Sequence, residues 1–359
     1  MKSLRRLLER GAEAGVFAGA VGLVRVRGRT VFRAAVGWAE TEPGRRSMSL
    51  DTVFDLASLT KVLCTVPVVL RLCAQGVMEL EAPLGRWLPA ATHAPCGRVT
   101  VRETLAHTGG LAAWKALYLG ARGREAVVEA VARLPLEGRP GERVGYSDPG
   151  VMLVGAAVEG ATGKRLDVLF EEHVARPLRL QRTRFCPPAH WRKRCAATER
   201  GNGYERDLAG RAGADFPWRE GGIVGEVHDG NAHYALEGVA AHAGLFSSAE
   251  EVARGMEAWL GYRRWIPEAY RTEALSDQRG GAEGAPRGLG WMLYHPAAFF
   301  AFLGPRSFGH TGFTGTSVAA DPDRGLVVVL LTNRVHPQVR EGIVEFRKAF
   351  HEMVLPSIE

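Results

Sequence analysis

Cysteine is sparse in this 359-residue chain: there are five, an odd number, and no C-x-x-C pair. A disulfide framework is therefore not indicated, and Cys64 and Cys73 sit in an apolar run where cysteine serves as a small hydrophobe. Long apolar runs are also missing, because Arg71 and Gln75 break the best candidate well short of the roughly 18 residues a membrane span needs. The N-terminus starts basic, but Glu9 and Glu13 interrupt the stretch a signal peptide requires. These absences point to a protein of the reducing cytoplasm with no membrane partner. No serine lies in G-x-S-x-G, no H-E-x-x-H occurs, and Gly163-Lys164 lacks the flanking residues of a phosphate loop. Gly163 reads instead as a helix C-cap. The eleven histidines show no recognisable ligand spacing, so neither a metal nor another cofactor is expected.

Lysine is scarce as well: of 46 basic residues only six are Lys, against 39 acidic residues and a net charge of +7. The arginines are scattered among Glu and Asp, and the densest run, Arg192-Lys193-Arg194, is short, so nucleic acid is not an expected partner. At 46% hydrophobic and 24% charged the chain is an ordinary globular one. Its length suggests about two lobes. Leu4 to Ala14 reads as an amphipathic helix, followed by β-like runs at 18–26 and 30–36 with a turn at Arg27-Gly28-Arg29. The next 200 or so residues read as mostly helical, with segments at 62–74, 124–133, 151–161 and 166–174. Pro67 is expected to kink the first and Gly76 to end it. Strand character returns at Thr316–Ala320 and Leu326–Thr332, and 339–353 reads as a closing helix. Strands at both ends imply one sheet built from the two termini, 1–55 plus 285–359, with a mostly helical lobe, 56–284, inserted into it. The fold class is thus α/β (α+β), with the ligand cleft between sheet and helices.

The segment Phe54-Asp-Leu-Ala-Ser58-Leu-Thr-Lys61 carries the chemistry. Ser58 and Lys61, three apart at a helix start, share one face, so an amine reaches the hydroxyl proton. The helix N-terminus aims N–H groups at the same place. Alone, S-x-x-K reads as an N-cap serine with an incidental lysine. Two further segments change that weighing: Tyr146-Ser147-Asp148 at a helix start, and His310-Thr311-Gly312 before the penultimate strand.

In this order the three segments resemble the S-x-x-K acyl-serine superfamily of class C β-lactamases, penicillin-binding proteins and related esterases and D-aminopeptidases. The runs Thr104-Leu-Ala-His107-Thr-Gly-Gly and Gly244-Leu-Phe-Ser-Ser-Ala-Glu-Glu-Val extend the likeness over nearly the whole chain. The resemblance implies the β-lactamase/transpeptidase-like fold, a mainly antiparallel sheet flanked by helices. It also implies Ser58 as nucleophile, Lys61 and Tyr146 as its proton-handling partners, and the N–H groups of Ser58 and Phe313 as an oxyanion hole. His310, Thr311 and Gly312 would bind substrate.

Two positions depart from the family pattern. His310 replaces the lysine of K-T-G, exchanging a fixed cation for an imidazole with an ordinary pKa of about 6.5, which weakens selection for the carboxylate of a β-lactam. Asp148 replaces the asparagine of Y-x-N; it is expected to hold Lys61 as an ammonium, which would in turn lower the Tyr146 pKa, or else to cap the helix starting at Pro149. His228, Asp229 and Asn231 read either as a loop bordering the pocket, as in some bacterial relatives, or as a structural turn. His107 reads as structural, and Ser248 with Glu251 as a capping box. The function expected is that of a serine hydrolase forming an acyl-enzyme on small ester, amide or peptide substrates, with esterase chemistry slightly ahead. The alternatives are a β-lactamase, a D-Ala-D-Ala carboxypeptidase, or an inactive binding module of the same fold.

Overall fold

Leu326–Thr332 is apolar at every position because it is the centre of a sheet covered on both faces. In the computed structural model, which describes residues 2–358, Val327, Val329 and Leu331 enter one core while Leu326, Val328 and Leu330 enter another. Alternate side chains of a strand point to opposite faces, so a strand buried on both sides cannot alternate apolar with polar. Among the described residues twelve strands are formed, β1 (Gly19–Val26), β2 (Arg29–Glu40), β3 (Arg46–Ser47), β4 (Phe54–Asp55), β5 (Arg184–Phe185), β6 (Ala197–Arg200), β7 (Gly222–Val224), β8 (Leu245–Ser247), β9 (Met292–Leu293), β10 (Phe308–Thr311), β11 (Ser317–Asp321) and β12 (Leu326–Thr332). The main sheet has the order β3-β2-β1-β12-β11-β10-β9. All its pairings are antiparallel, and β1 meets β12 from Ala20 opposite Thr332 to Val26 opposite Leu326. The two chain ends are therefore joined at the middle of the sheet.

One face is closed by helix α1 (Lys2–Glu13) and by the helix Ile343–Glu352, which lay Leu4, Leu8, Phe346 and Phe350 over Ala20, Val24, Phe32, Val328 and Leu330. The other face packs on the helical region, where α2 (Val66–Ala74) is buried nearly all round. A π-helical turn, Lys61–Thr65, leads into α2 with Pro67 in its first turn, so the irregularity falls just ahead of the proline. Then come α3 (Val101–Leu105), α4 (Arg124–Ala132) and α5 (Asp148–Thr162), the last ended by Gly163 at φ 67°.

The middle of the chain holds more strand than its helical reading implied. The short strands β4, β8 and β5 form a three-stranded sheet and β6 with β7 a two-stranded one. Such two- to four-residue pieces leave no periodic signal. The closing helix begins at Ile343 rather than Val339. Ser248 makes no capping bond; Glu251 instead accepts from the amides of Gln181 and Arg182 at 2.8 and 2.9 Å, and from Thr183 Oγ1 at 2.7 Å. A true capping box joins Thr100 and Glu103. All five cysteines are free thiols. Among the described residues, no helix is long and apolar enough to cross a membrane.

Candidate active site

Ser58 lies in the turn between β4 and the helix, and the residue before it is strained. Ala57 has φ 47°, a region L-residues avoid, held there by its amide donating to Asp55 Oδ1 at 2.8 Å. The turn leaves Ser58 half-buried while Lys61, at the helix start, is fully buried. Lys61 Nζ donates to Ser58 Oγ at 2.9 Å and to the carbonyl of His242 at 3.0 Å, lies 2.7 Å from Asp148 Oδ1, and sits 4.9 Å from the centre of the Tyr146 ring. Burial alone would push the ammonium down, but Asp148 and Tyr146 outweigh it and the Lys61 pKa is raised. Lys61 therefore rests as a cation, hydrogen-bonded to Ser58 and His242 and ion-paired with Asp148.

Tyr146 is tied to the same group but stays a phenol. Burial raises its pKa more than Lys61 lowers it, so the net shift is upward where a lowered Tyr146 pKa was expected. Its ring packs 4.5 Å from His107, whose Nδ1 accepts from the Ser147 amide at 3.3 Å. His107 is itself at φ 58°. Ser147, not Asp148, caps α5: its hydroxyl accepts from the Gly150 amide at 3.0 Å. The Asp148 carboxylate is thereby left to Lys61.

Across the cleft, β10 carries His310 opposite Val318 of β11 and runs into Gly312 and Phe313. Thr314 Oγ1 donates to the Asp55 carbonyl at 2.9 Å and Thr316 Oγ1 to that of Leu56 at 3.1 Å, fastening this loop to the chain entering Ser58. Buried Arg347 braces it from behind, donating to the carbonyls of Gly312 and Thr316. The amides of Ser58 and Phe313 have no protein acceptor among the described residues. Two fixed, unspent N–H groups beside a hydroxyl suit a developing oxyanion. His310 is buried, and burial together with the cations Lys61 and Arg287 takes its pKa to about 3, so it is neutral throughout the working pH range.

Of the three loop residues, two reach the cavity. His228 Nε2 is 2.8 Å from Glu199 Oε2, its amide donates to Asp55 Oδ2 at 2.7 Å, and its ring stacks 5.6 Å from that of Phe313. Asp229 Oδ1 is 2.9 Å from His242 Nε2 and its pKa falls to about 2, because His242 and the Ala232 amide outweigh burial. Asn231 is turned inward, accepting from the Tyr118 amide and donating to the Lys115 carbonyl, and it does not line the cavity. The cavity, about 340 Å³, opens over Ser58 between Trp114, Tyr204, Leu208 and Phe313, with Asp148 and Asp229 on its wall. Glu199, Glu205, His242, Arg287 and the apolar side chains Trp114, Tyr204 and Leu208 were not singled out from sequence. They lie far from the motifs along the chain and carry no local pattern. Among the described residues, no cluster of His, Cys, Asp and Glu could hold a metal ion.

A family model described as Beta-lactamase matches residues 4–350. The N-acetylmuramyl-L-alanine amidase of Bacillus subtilis (strain 168) is 33% identical over 372 aligned positions, which cover 94% of this chain and 82% of that protein. A putative D-alanyl-D-alanine carboxypeptidase of Escherichia coli (strain K12) is 33% identical over 345 positions, covering 87% and 77%. Among solved structures, EstCE1, a hydrolase with promiscuous acyltransferase activity, superposes with a TM-score of 0.75 at 21% identity over 98% of both chains. A class C beta lactamase from Rhodobacter sphaeroides gives 0.76 at 17% identity over 99% and 100%.

Proposed function

The chain belongs to the beta-lactamase family of serine hydrolases, and from that premise we propose that Ser58 is its nucleophile and that its substrates are small amides or esters cleaved through an acyl-enzyme. The observation that carries this reading is the contact of 2.9 Å between Ser58 Oγ and a buried lysine that also holds Asp148 and faces Tyr146. In the proposed reaction Ser58 Oγ attacks the carbonyl carbon, and its proton passes into the Lys61–Tyr146–Asp148 group, which accepts it after giving up one of its own protons to solvent. The carbonyl oxygen becomes an anion held by the amides of Ser58 and Phe313. The same proton then goes to the leaving group as the bond to it breaks, and water later releases the acyl group from Ser58.

Amide chemistry is favoured over ester chemistry, because the relatives at 33% identity are named as an amidase and a putative carboxypeptidase. The mostly apolar mouth formed by Trp114, Tyr204, Leu208 and Phe313 supports an acyl portion with apolar surface. A β-lactamase role is disfavoured, since the neutral, buried His310 supplies no charge for a ring carboxylate. A purely binding role is disfavoured too, since a pocket freed from turnover has no need of a strained turn, two unspent amides and a lysine on the serine at once. The test is hydrolysis of an activated phenyl ester: wild type turns it over and Ser58→Ala loses at least about a thousandfold of the rate. Equal rates in the two proteins would overturn the assignment.

A further inference from the structure

One of the two open amides beside Ser58 belongs to a peptide unit whose other end is held by a buried cation. The Phe313 N–H and the Gly312 carbonyl are parts of the same planar group, so whatever fixes the carbonyl also fixes the direction of the N–H. Arg347, on the helix Ile343–Glu352, donates from Nη2 to the Gly312 carbonyl and, at 3.0 Å, to the Thr316 carbonyl. The Gly315 amide also donates to the Gly312 carbonyl, at 3.1 Å, and the Gly312 amide to the Thr316 carbonyl at 2.8 Å, which closes the loop on itself. From the other side Gly312 is pressed on the turn that carries Ser58: a Cβ there would meet the Leu56 carbonyl oxygen at 2.5 Å and Ala57 Cβ at 3.3 Å, so only glycine fits.

The charge of Arg347 has no counter-ion. The residue is 8% exposed, its Nε is buried with no hydrogen-bond partner, and it makes no ion pair among the described residues. Its titratable neighbours supply no anion. His351, one helical turn on, is kept neutral by burial and by Arg347 itself, with a pKa of about 3. Arg334 is a second cation, donating to the Phe313 carbonyl at 2.7 Å, and the two repel. Two guanidinium groups thus hold the carbonyls of the two peptide units that meet at Phe313. A desolvated cation without an acid is unfavourable, and an anion that forms close by offsets that. The substrate oxygen that becomes negative on attack by Ser58 would lie on the Phe313 N–H, one peptide unit away from Arg347. A cation on the carbonyl end also polarises the unit and makes its N–H a stronger donor.

We propose that Arg347 is a positioning residue for the reaction: through the Gly312–Phe313 peptide it aims and strengthens the N–H that receives the oxyanion, and its charge, joined by that of Arg334, favours the transition state over bound substrate. The inference rests on the hydrolase reading above. It concerns a charge that exists only during the reaction, so its effect falls on kcat and not on KM.

The test combines hydrolysis of 4-nitrophenyl acetate with inhibition by phenylboronic acid, whose boron becomes tetrahedral and anionic on taking Ser58 Oγ. Arg347→Lys keeps the charge, and Arg347→Gln keeps a donor for the Gly312 carbonyl without it. In Arg347→Gln kcat is expected to fall at least about thirtyfold and boronate affinity at least about tenfold, with KM within about threefold of wild type, short of the roughly 10²–10³ in kcat that a deleted oxyanion donor costs. Arg347→Lys recovers most of both losses. The inhibition constant does not depend on how much of a preparation is folded. Equal losses in the two variants, or an Arg347→Gln that binds the boronate as wild type does, would overturn the proposal. Should Arg347→Gln not fold, Arg334→Gln decides: boronate binding weakened at least about threefold is expected, and unchanged binding contradicts the role of the paired charge. An activated ester that leaves no acyl group on Ser58 refutes the hydrolase reading itself. Acylation of Ser58 with boronate binding unchanged in the variants refutes this inference alone.

Discussion

Lys61 and Asp148 decide the resting charge of the site. A lysine buried without an acid would shed its proton; here the carboxylate at 2.7 Å reverses that and keeps the ammonium. Because folding raises the Lys61 pKa, deprotonation of the group that must accept the Ser58 proton is displaced upward in pH. Replacing Asp148 by Asn removes the opposing charge while burial remains, so the rising limb of kcat/KM against pH should move to lower pH by about one unit or more. A rising limb that stays where it is in Asp148→Asn would show that Lys61 does not set it. The acidity of the Tyr146 phenol was misjudged from sequence for a specific reason. A neighbouring cation is visible in the motif spacing, but the depth of burial that outweighs it exists only once α5 packs against α3, α4 and the π-helical turn at Lys61–Thr65.

Elements bring the two halves of the site together. The termini were legible: the hairpin of β1 and β2, the uniformly apolar β12, and the helix following Ser58 all have sequence periods that match their burial. What stayed hidden were the pieces too short to have a period, above all β6 and β7. They matter, because Glu199 of β6 pairs with His228, and His228 stacks under Phe313 and ties its own amide to Asp55. That brace links Phe313 to the turn before Ser58, the two residues whose amides form the proposed oxyanion site. His228 is nearly fully buried; burial by itself lowers its pKa, but Glu199 more than offsets this and the net shift is upward. A raised histidine pKa contributes stability that is complete below the unfolded value of about 6.5 and is lost as pH rises through the folded value. Glu199→Gln should therefore cost about 3 kcal/mol in denaturant unfolding near pH 6, and clearly less near pH 9. A cost that does not change with pH would show that the pair holds no proton-linked energy.

The whole molecule makes the site from parts far apart in sequence. The nucleophile turn lies in the first quarter of the chain and Phe313 near its end, and they meet because β1 and β12 pair at the middle of one sheet. That closure was readable from strands at both termini, and so was the meeting of Ser58 with Lys61 from their spacing, whereas the nearness of Tyr146 was implied by the family resemblance. The cavity walls, the carboxylate contacts of His228 and His242, and the unpartnered Arg287 were not, since each depends on long-range packing that no local pattern records. The +7 charge also has a sharper meaning in the folded molecule. Arg334 and Arg347 near the site donate to backbone carbonyls, whereas the Arg287 side chain makes no hydrogen bond and no ion pair among the described residues. The central claim is that Ser58 carries the acyl group during turnover. The enzyme is mixed with an activated acetate ester, quenched in acid within one turnover and digested, and the acetylated residue is located by tandem mass spectrometry. The account predicts a single acetyl group on Ser58, absent from Ser58→Ala; acetylation elsewhere with full turnover in Ser58→Ala would contradict it.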